Sequence, residues 1–273
     1  MIKYKLSFVQ GRLSPQIGSI YQYFPIDNWQ KELVEAKKIG LGNIEWIVSD
    51  LSNPIFNSGF LKIILIHLKK YRISISSISL DYLMKEPLYS QKKEDLDWLI
   101  KRLNIMSIKF EKIRLNIPIE EISGIFNSYQ VNKVKKNLSI LKKKLSKKFI
   151  ISLETDMSPK NLYILLNKKE LRGIGVNIDI GNIDANGYDI KEYFLWLKNL
   201  IYGVHIKNRG LLFSKSKMLE SNKSLNYVIN NLDKLNNIND LTLQTYKDNK
   251  NYKRQLIQNY KLIKKKLNIS ERI

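Results

Sequence analysis

The 273-residue sequence has no cysteine, two histidines, six prolines and no apolar run approaching the roughly 18 residues that a membrane helix needs. Without thiols there is no disulfide scaffold and no zinc-thiolate centre, and the composition suits a reducing compartment. The opening stretch from Met1 to Leu13 turns polar at Gln10 before an apolar signal core can form, so the protein is read as cytoplasmic. Negative charge is scarce as well. Against 47 Lys and Arg stand 25 Asp and Glu, a formal charge of +22. Such an excess raises nucleic acid as a partner, but 39 of the cations are lysine and 8 are arginine, set among many Ile and Asn. Base and phosphate recognition favours arginine forks. The lysine runs Lys142-Lys143-Lys144, Lys147-Lys148 and Lys264-Lys265-Lys266 fall on or near predicted helices, where they read as solvated faces. The expectation is therefore neither a nucleic-acid nor a membrane partner.

What is present is a repeated unit: a short β-rich run followed by a longer helix-patterned stretch, eight times over. The predicted strands are Tyr4 to Val9, Asn43 to Val48, Ile73 to Leu80, Lys112 to Ile117, Phe149 to Thr155, Gly175 to Ile180, Tyr202 to Lys207 and Leu241 to Tyr246. The predicted helices are Asn28 to Ile39, Gly59 to Tyr71, Gln91 to Ile108, Glu120 to Leu145, Pro159 to Glu170, Ile190 to Leu200, Ser224 to Leu235 and Tyr252 to Leu267. Ser158 before Pro159 reads as an N-cap with proline in the first turn. Strict alternation forces parallel pairing through right-handed crossovers, and eight units in about 270 residues match a single (β/α)8 TIM barrel spanning 1–273. A doubly wound open sheet is the alternative.

Active sites of such barrels gather at the C-terminal ends of the strands. Polar residues stand at all eight ends: Gln10-Gly11-Arg12, Glu45-Trp46, Asp81-Tyr82, Arg114 with Asn116, Glu154-Thr155-Asp156, Asp179-Ile180-Gly181-Asn182, His205-Ile206-Lys207-Asn208-Arg209 and Gln244-Thr245-Tyr246-Lys247-Asp248. Because side chains alternate along a strand, inward faces would bring Glu154, Asp179, His205 and Gln244 together from four consecutive strands. Two carboxylates, an imidazole and an amide oxygen suit one divalent cation, Mn²⁺, Zn²⁺, Co²⁺ or Mg²⁺. His67 lies in the apolar run Phe60 to Leu68 and is assigned to packing. Arg12, Glu45, Asp81, Asn116, Lys207 and Arg209 are the candidate substrate-binding residues, with Arg12, Lys207 and Arg209 suited to an anionic end.

Leu153-Glu154-Thr155-Asp156, Asp179-Ile180-Gly181-Asn182 and Val204-His205-Ile206-Lys207-Asn208-Arg209 resemble motifs of the sugar phosphate isomerase/epimerase family, within the xylose-isomerase-like barrel superfamily. The likeness is nearest to its L-ribulose-5-phosphate 3-epimerase and hexulose-6-phosphate isomerase members. Gln10-Gly11-Arg12-Leu13-Ser14, Phe24-Pro25, Trp29 and Ile44-Glu45-Trp46 add to it, so it runs from strand one to strand seven. The resemblance implies one divalent metal held by Glu, Asp, His and Glu from strands five to eight, the two glutamates doubling as the acid/base pair. Glu154, Asp179 and His205 carry over, with Glu154 the catalytic residue. Strand eight departs from the pattern, reading Leu243-Gln244-Thr245 where the family has Leu-Glu-Thr.

Gln244 can donate an oxygen to a metal but cannot accept a proton as a carboxylate does. Two ligand negatives in place of three also weaken the hold on a hard cation. Epimerisation at one carbon ordinarily needs groups on both faces, whereas aldose–ketose isomerisation can run with one base, so the residues favour the one-base reaction. Asp156, Glu45, Asp81, Lys207 and Tyr246 are the available substitute acids. The expectation is an isomerase/epimerase for a small carbohydrate, phosphorylated or free; a lapsed enzyme or sugar-binding barrel in carbohydrate biosynthesis is the alternative. Members of the family are often dimers or tetramers, which allows a homo-oligomer, though no segment marks an interface. Apurinic endonucleases share the superfamily, but their trinuclear zinc site needs many histidines, and this chain has His67 and His205.

Overall fold

Strands β1 (Lys5–Val9), β2 (Asn43–Ile47), β3 (Ser74–Ser79), β4 (Ile113–Ile119), β5 (Phe149–Thr155), β6 (Gly175–Asp179), β7 (Ile201–Ile206) and β8 (Asp240–Leu243) pair in chain order. Every pairing is parallel, and β8 returns to β1 through Lys5↔Asp240 to Phe8↔Leu243, closing the barrel. A computed structural model describes residues 4–16, 22–209, 219, 222–238, 240–245 and 251–268. The expected Tyr246, Lys247 and Asp248 lie outside the described residues.

The strands are buried on both faces, as parallel strands covered by crossover helices must be; in β4 and β6 every residue is buried. The covering helices among the described residues are α1 (Trp29–Ile39), α2 (Ser58–Tyr71), α3 (Lys93–Ser107), α4 (Ser128–Lys144), α5 (Pro159–Leu166), α6 (Ile180–Ala185), α7 (Ile190–Leu197), α8 (Lys223–Asn230) and α9 (Tyr252–Lys266). None is long and apolar enough to cross a membrane.

Three departures from the sequence expectation have local causes. Helix α4 begins at Ser128 rather than Glu120, because Asn127 caps it by accepting from the Gln130 N–H, while Glu120 to Ser123 form a tight turn closed by the Ser123 hydroxyl. Helix α8 stops at Asn230 and is followed by a 3₁₀ turn at Leu232–Lys234. A short helix, α6, appears directly after β6, capped by the Asp179 carboxylate through the Asn182 N–H at 2.9 Å. At the exits of β4 and β6 a side-chain hydrogen bond to the backbone competes with the helix pattern, whereas α8 tightens into its turn at its C-terminal end.

Candidate metal centre at the barrel mouth

Adjacent strand ends deliver the cluster. Glu154 leaves β5, Asp179 ends β6, and His205 on β7 is the direct register partner of Asp179. One ligand atom from each of Glu154, Asp179 and His205 lies within 4.8 Å of the others, and all three residues are buried. The His205 Nδ1 is 3.0 Å from Glu154 Oε1, and its Nε2 is 2.9 Å from Glu45 Oε1. Glu154 Oε2 accepts from the amides of Asn116 (2.6 Å) and Asn177 (3.2 Å). The Lys207 ammonium sits 2.5 Å from Asp179 Oδ2.

These contacts set the charges. Burial alone would raise the Glu154 pKa, but the His205 ring, Lys207 and the Asn116 amide hold it well below the usual carboxylate range. Burial would likewise depress His205, yet Glu154 and Glu45 on its two sides push it well above an ordinary imidazole. For Asp179 burial prevails over Lys207, and its pKa is raised. The cations Lys207 and protonated His205 therefore stand against the two carboxylates.

The donor set fits a divalent cation: two carboxylates and an imidazole converge from three strands. Gln244, at the end of β8, is buried, and its carbonyl Oε1 accepts no hydrogen bond. An orphaned buried acceptor of that kind is costly unless something binds it.

Around the mouth runs a second network. Gln244 Nε2 donates to Gln22 Oε1 at 3.0 Å, Arg12 donates to the same oxygen at 2.6 Å, and Gln22 Nε2 donates to Asp81 Oδ2 at 2.5 Å. Burial pushes Asp81 up to about 6 against the hydrogen bonds from Ser79 and Gln22, and pulls Arg12 down to about 10. The loop carrying Arg12 is fixed by Glu32 on α1, whose carboxylate accepts the Gly11 and Leu13 N–H groups at 3.0 and 2.8 Å. Gly11 is required there: its φ is +87°, and a Cβ would come within 2.8 Å of the Tyr23 carbonyl. Arg209 pairs with Glu121 at 2.7 Å and donates to Asn182 Oδ1 at 3.1 Å.

The structure redistributes several expected roles. Glu45 and Asn116, candidates for substrate binding, are fully buried, Glu45 lying 2.9 Å from His205 and Asn116 donating to Glu154. Asp156 is at the rim, accepting the Glu121 N–H at 2.5 Å. His67 packs as expected, its ring centroid 5.2 Å from that of Trp29 on the outer helices. Glu120, expected at a helix start, is instead buried one residue past β4. Its pKa is raised well above normal by burial and by Glu154, and Asn182 donates to it. Asn177, Gln22 and Asp240 were also not anticipated. The strand-end rule applied to β4 would have found Glu120; Asn177 and Asp240 lie inside strands, where only the facing direction reveals them.

No family model and no curated protein matches the sequence. Solved structures do match. A xylose isomerase-like TIM barrel protein from Mycobacterium smegmatis, in complex with magnesium, superposes with a TM-score of 0.71 at 14% identity over 97% of this chain and 96% of that one. The fold is similar to the xylose isomerase-like barrels. A D-allulose 3-epimerase from Methylomonas sp. in complex with D-allulose gives 0.69 at 12% identity, covering 97% and 98%. A probable 3-DHS dehydratase from Bacillus anthracis, involved in petrobactin synthesis, gives 0.67 at 17%, covering 95% and 98%. At these identities the likeness is one of fold, and the fold hosts more than one chemistry.

Proposed function

We propose that the protein is a metal-dependent sugar or sugar-phosphate isomerase/epimerase that acts by proton abstraction next to a carbonyl, through an enediolate. The observation that carries this reading is the convergence of Glu154, Asp179 and His205 at the C-terminal mouth of the barrel, beside the orphaned oxygen of Gln244. These four residues would hold the cation, which when bound would polarise the substrate carbonyl and acidify the neighbouring C–H. Glu154 stays ionised and so is in the form that accepts a proton, the Asn116 and Asn177 amides fixing its orientation. For the second proton-transfer group Asp81 has the best support among the substitutes: it is joined to Gln244 through Gln22, and a pKa of about 6 suits exchange near neutrality. Glu45 and Lys207 are instead tied into ion pairs, and Asp156 is at the rim. Arg12, Lys207 and Arg209 supply positive charge for an anionic substrate end.

The test is metal content of the purified protein, followed by exchange of substrate carbon-bound hydrogen with deuterated water over a panel of free ketoses and ketose phosphates. Exchange that needs the metal supports the proposal, and the preferred half of the panel decides phosphorylation. No exchange with any substrate, metal present, overturns it.

A second reading, a sugar-binding barrel without turnover, is favoured by one observation: the strand-eight position carries a neutral amide already hydrogen-bonded to Gln22. Gln244→Glu separates the two. Turnover that appears only in the variant supports a lapsed enzyme, while an active wild type removes this reading.

A further inference from the structure

Beneath the cluster, toward the N-terminal ends of the strands, lies a buried ionic chain that the proposed chemistry does not use. Arg114 on β4 donates from Nε and NH2 to the two oxygens of Asp240 on β8, at 3.1 and 2.9 Å. The same NH2 reaches Glu45 Oε2 on β2 at 3.4 Å, and Ser77 on β3 donates to that oxygen at 2.7 Å. Glu45 Oε1 then faces His205 Nε2 at 2.9 Å. All four charged side chains are at most 1% exposed. Burying several ions costs several kcal/mol each unless geometry and partners compensate. A chain of aliphatic side chains would fill the barrel at lower cost, so the arrangement calls for a role.

The imidazole has a carboxylate on each side, and the two sides are not equivalent: Nδ1 is hydrogen-bonded to Glu154, whereas Nε2 and Glu45 Oε1 lie within ion-pair distance without a formed hydrogen bond. Nδ1 points to Glu154, the cluster's own carboxylate, while Nε2 points away from the mouth to a carboxylate locked by Ser77 and Arg114. A histidine that ligates a metal commonly donates its other ring N–H to such a carboxylate, which fixes both ring orientation and tautomer. We propose that Glu45 is a positioning residue that holds the proton of His205 on Nε2 and so makes Nδ1 the metal-ligating nitrogen, with Arg114 and Asp240 as its anchor. The inference rests on the proposed metal-binding reading. It moves Glu45 from substrate recognition to control of a ligand.

With only two histidines in the chain, ring-nitrogen NMR on ¹⁵N-histidine-labelled protein is directly readable, His67→Gln assigning the second signal set. Zn²⁺, which is diamagnetic, is titrated into the wild type, Glu45→Gln and Glu45→Asp. The expected result in the wild type is a metal-shifted Nδ1 and a protonated Nε2 on His205. Glu45→Gln offers an amide in place of the carboxylate, so Zn²⁺ affinity should fall about 10–100-fold with a mixed or reversed tautomer, and Glu45→Asp should recover part of both. A purely structural role for Glu45 would lower the melting temperature without changing which nitrogen binds. If Glu45→Gln does not fold, Glu45→Asp carries the comparison. Ligation through Nε2 in the wild type, or unchanged affinity and tautomer in the folded variants, overturns the inference alone. A wild type whose histidine signals ignore Zn²⁺ and Mn²⁺ overturns the metal-binding reading and this inference with it.

Discussion

At the scale of single residues, the informative substitution is an uncharged one. Gln244 puts a neutral amide at the mouth, and the nearest acid in the same hydrogen-bond network is Asp81, two bonds away through Gln22. Burial holds the Asp81 carboxyl at about 6, above the ordinary 3.8 of an aspartate. The folded state therefore favours the neutral acid, and the stability linked to Asp81 is full below about pH 4 and is lost as pH rises through about 6. Asp81→Asn, which cannot ionise, should stabilise the metal-free protein at pH 8 by on the order of 1–3 kcal/mol and have little effect at pH 4. It should also reduce turnover about 100-fold. Thermal melts at the two pH values and one steady-state assay check this; an Asn variant that is less stable at pH 8 would contradict it. Glu154, Asp179 and His205 are legible in the sequence because strand-end position and residue type suffice for them. Glu120 was lost to an overlong helix, and Asn177 and Asp240 to the lack of any local signal for an inward-facing polar residue.

At the scale of elements, the site depends on how tightly neighbouring strands pass one another. Gly203 on β7, two residues before His205, lies against the Arg114 guanidinium: a Cβ there would be 2.6 Å from Arg114 Cζ and 2.5 Å from Asn177 Oδ1. Neither neighbour is a free side-chain end, since Arg114 is anchored by Asp240 and Asn177 supports Glu154. Gly203→Ala should accordingly destabilise by about 2 kcal/mol through overpacking. That corresponds to a melting temperature lower by roughly 4–8 °C for a chain of this size. Because the shift falls on the groups that hold Glu45 and Glu154, metal affinity should drop as well. Calorimetric melts and a metal titration on the same sample read both, and an alanine variant with wild-type values would show that the barrel floor can relax. Strand periodicity placed β5 at Phe149–Thr155 without error, whereas β8 began one residue early at Asp240 and its expected end lies outside the described residues. Helix α4 moved by eight residues because a cap at Asn127 and a turn at Glu120–Ser123 outweigh amphipathic pattern, a competition among sequence neighbours that periodicity alone does not weigh.

For the molecule as a whole, the charge separates by depth. Among the described residues the buried acids are Glu32, Glu45, Glu120, Glu154, Asp179 and Asp240, against the buried cations Arg12, Arg114, Lys207 and the imidazole of His205. More acid than base is withdrawn from the surface even with His205 counted as a cation, so the exterior is at least as basic as the total of +22 suggests, while the barrel holds the carboxylates. Buried carboxylates in the barrel suit a bound cation; the lysines of α4 and α9 are largely on the solvent side of outer helices. The sequence alone determined the alternation of eight strands and helices, and with it the parallel barrel, because periodicity and chain length leave few other ways to bury such strands. It also determined that Glu154, Asp179 and His205 stand at strand ends. Only the tertiary structure decided which polar side chains face one another across the closed barrel. Register and closure, which no local pattern encodes, bring β2, β4 and β8 together beneath β7, so that Glu45, Arg114 and Asp240, far apart in the chain, meet under His205.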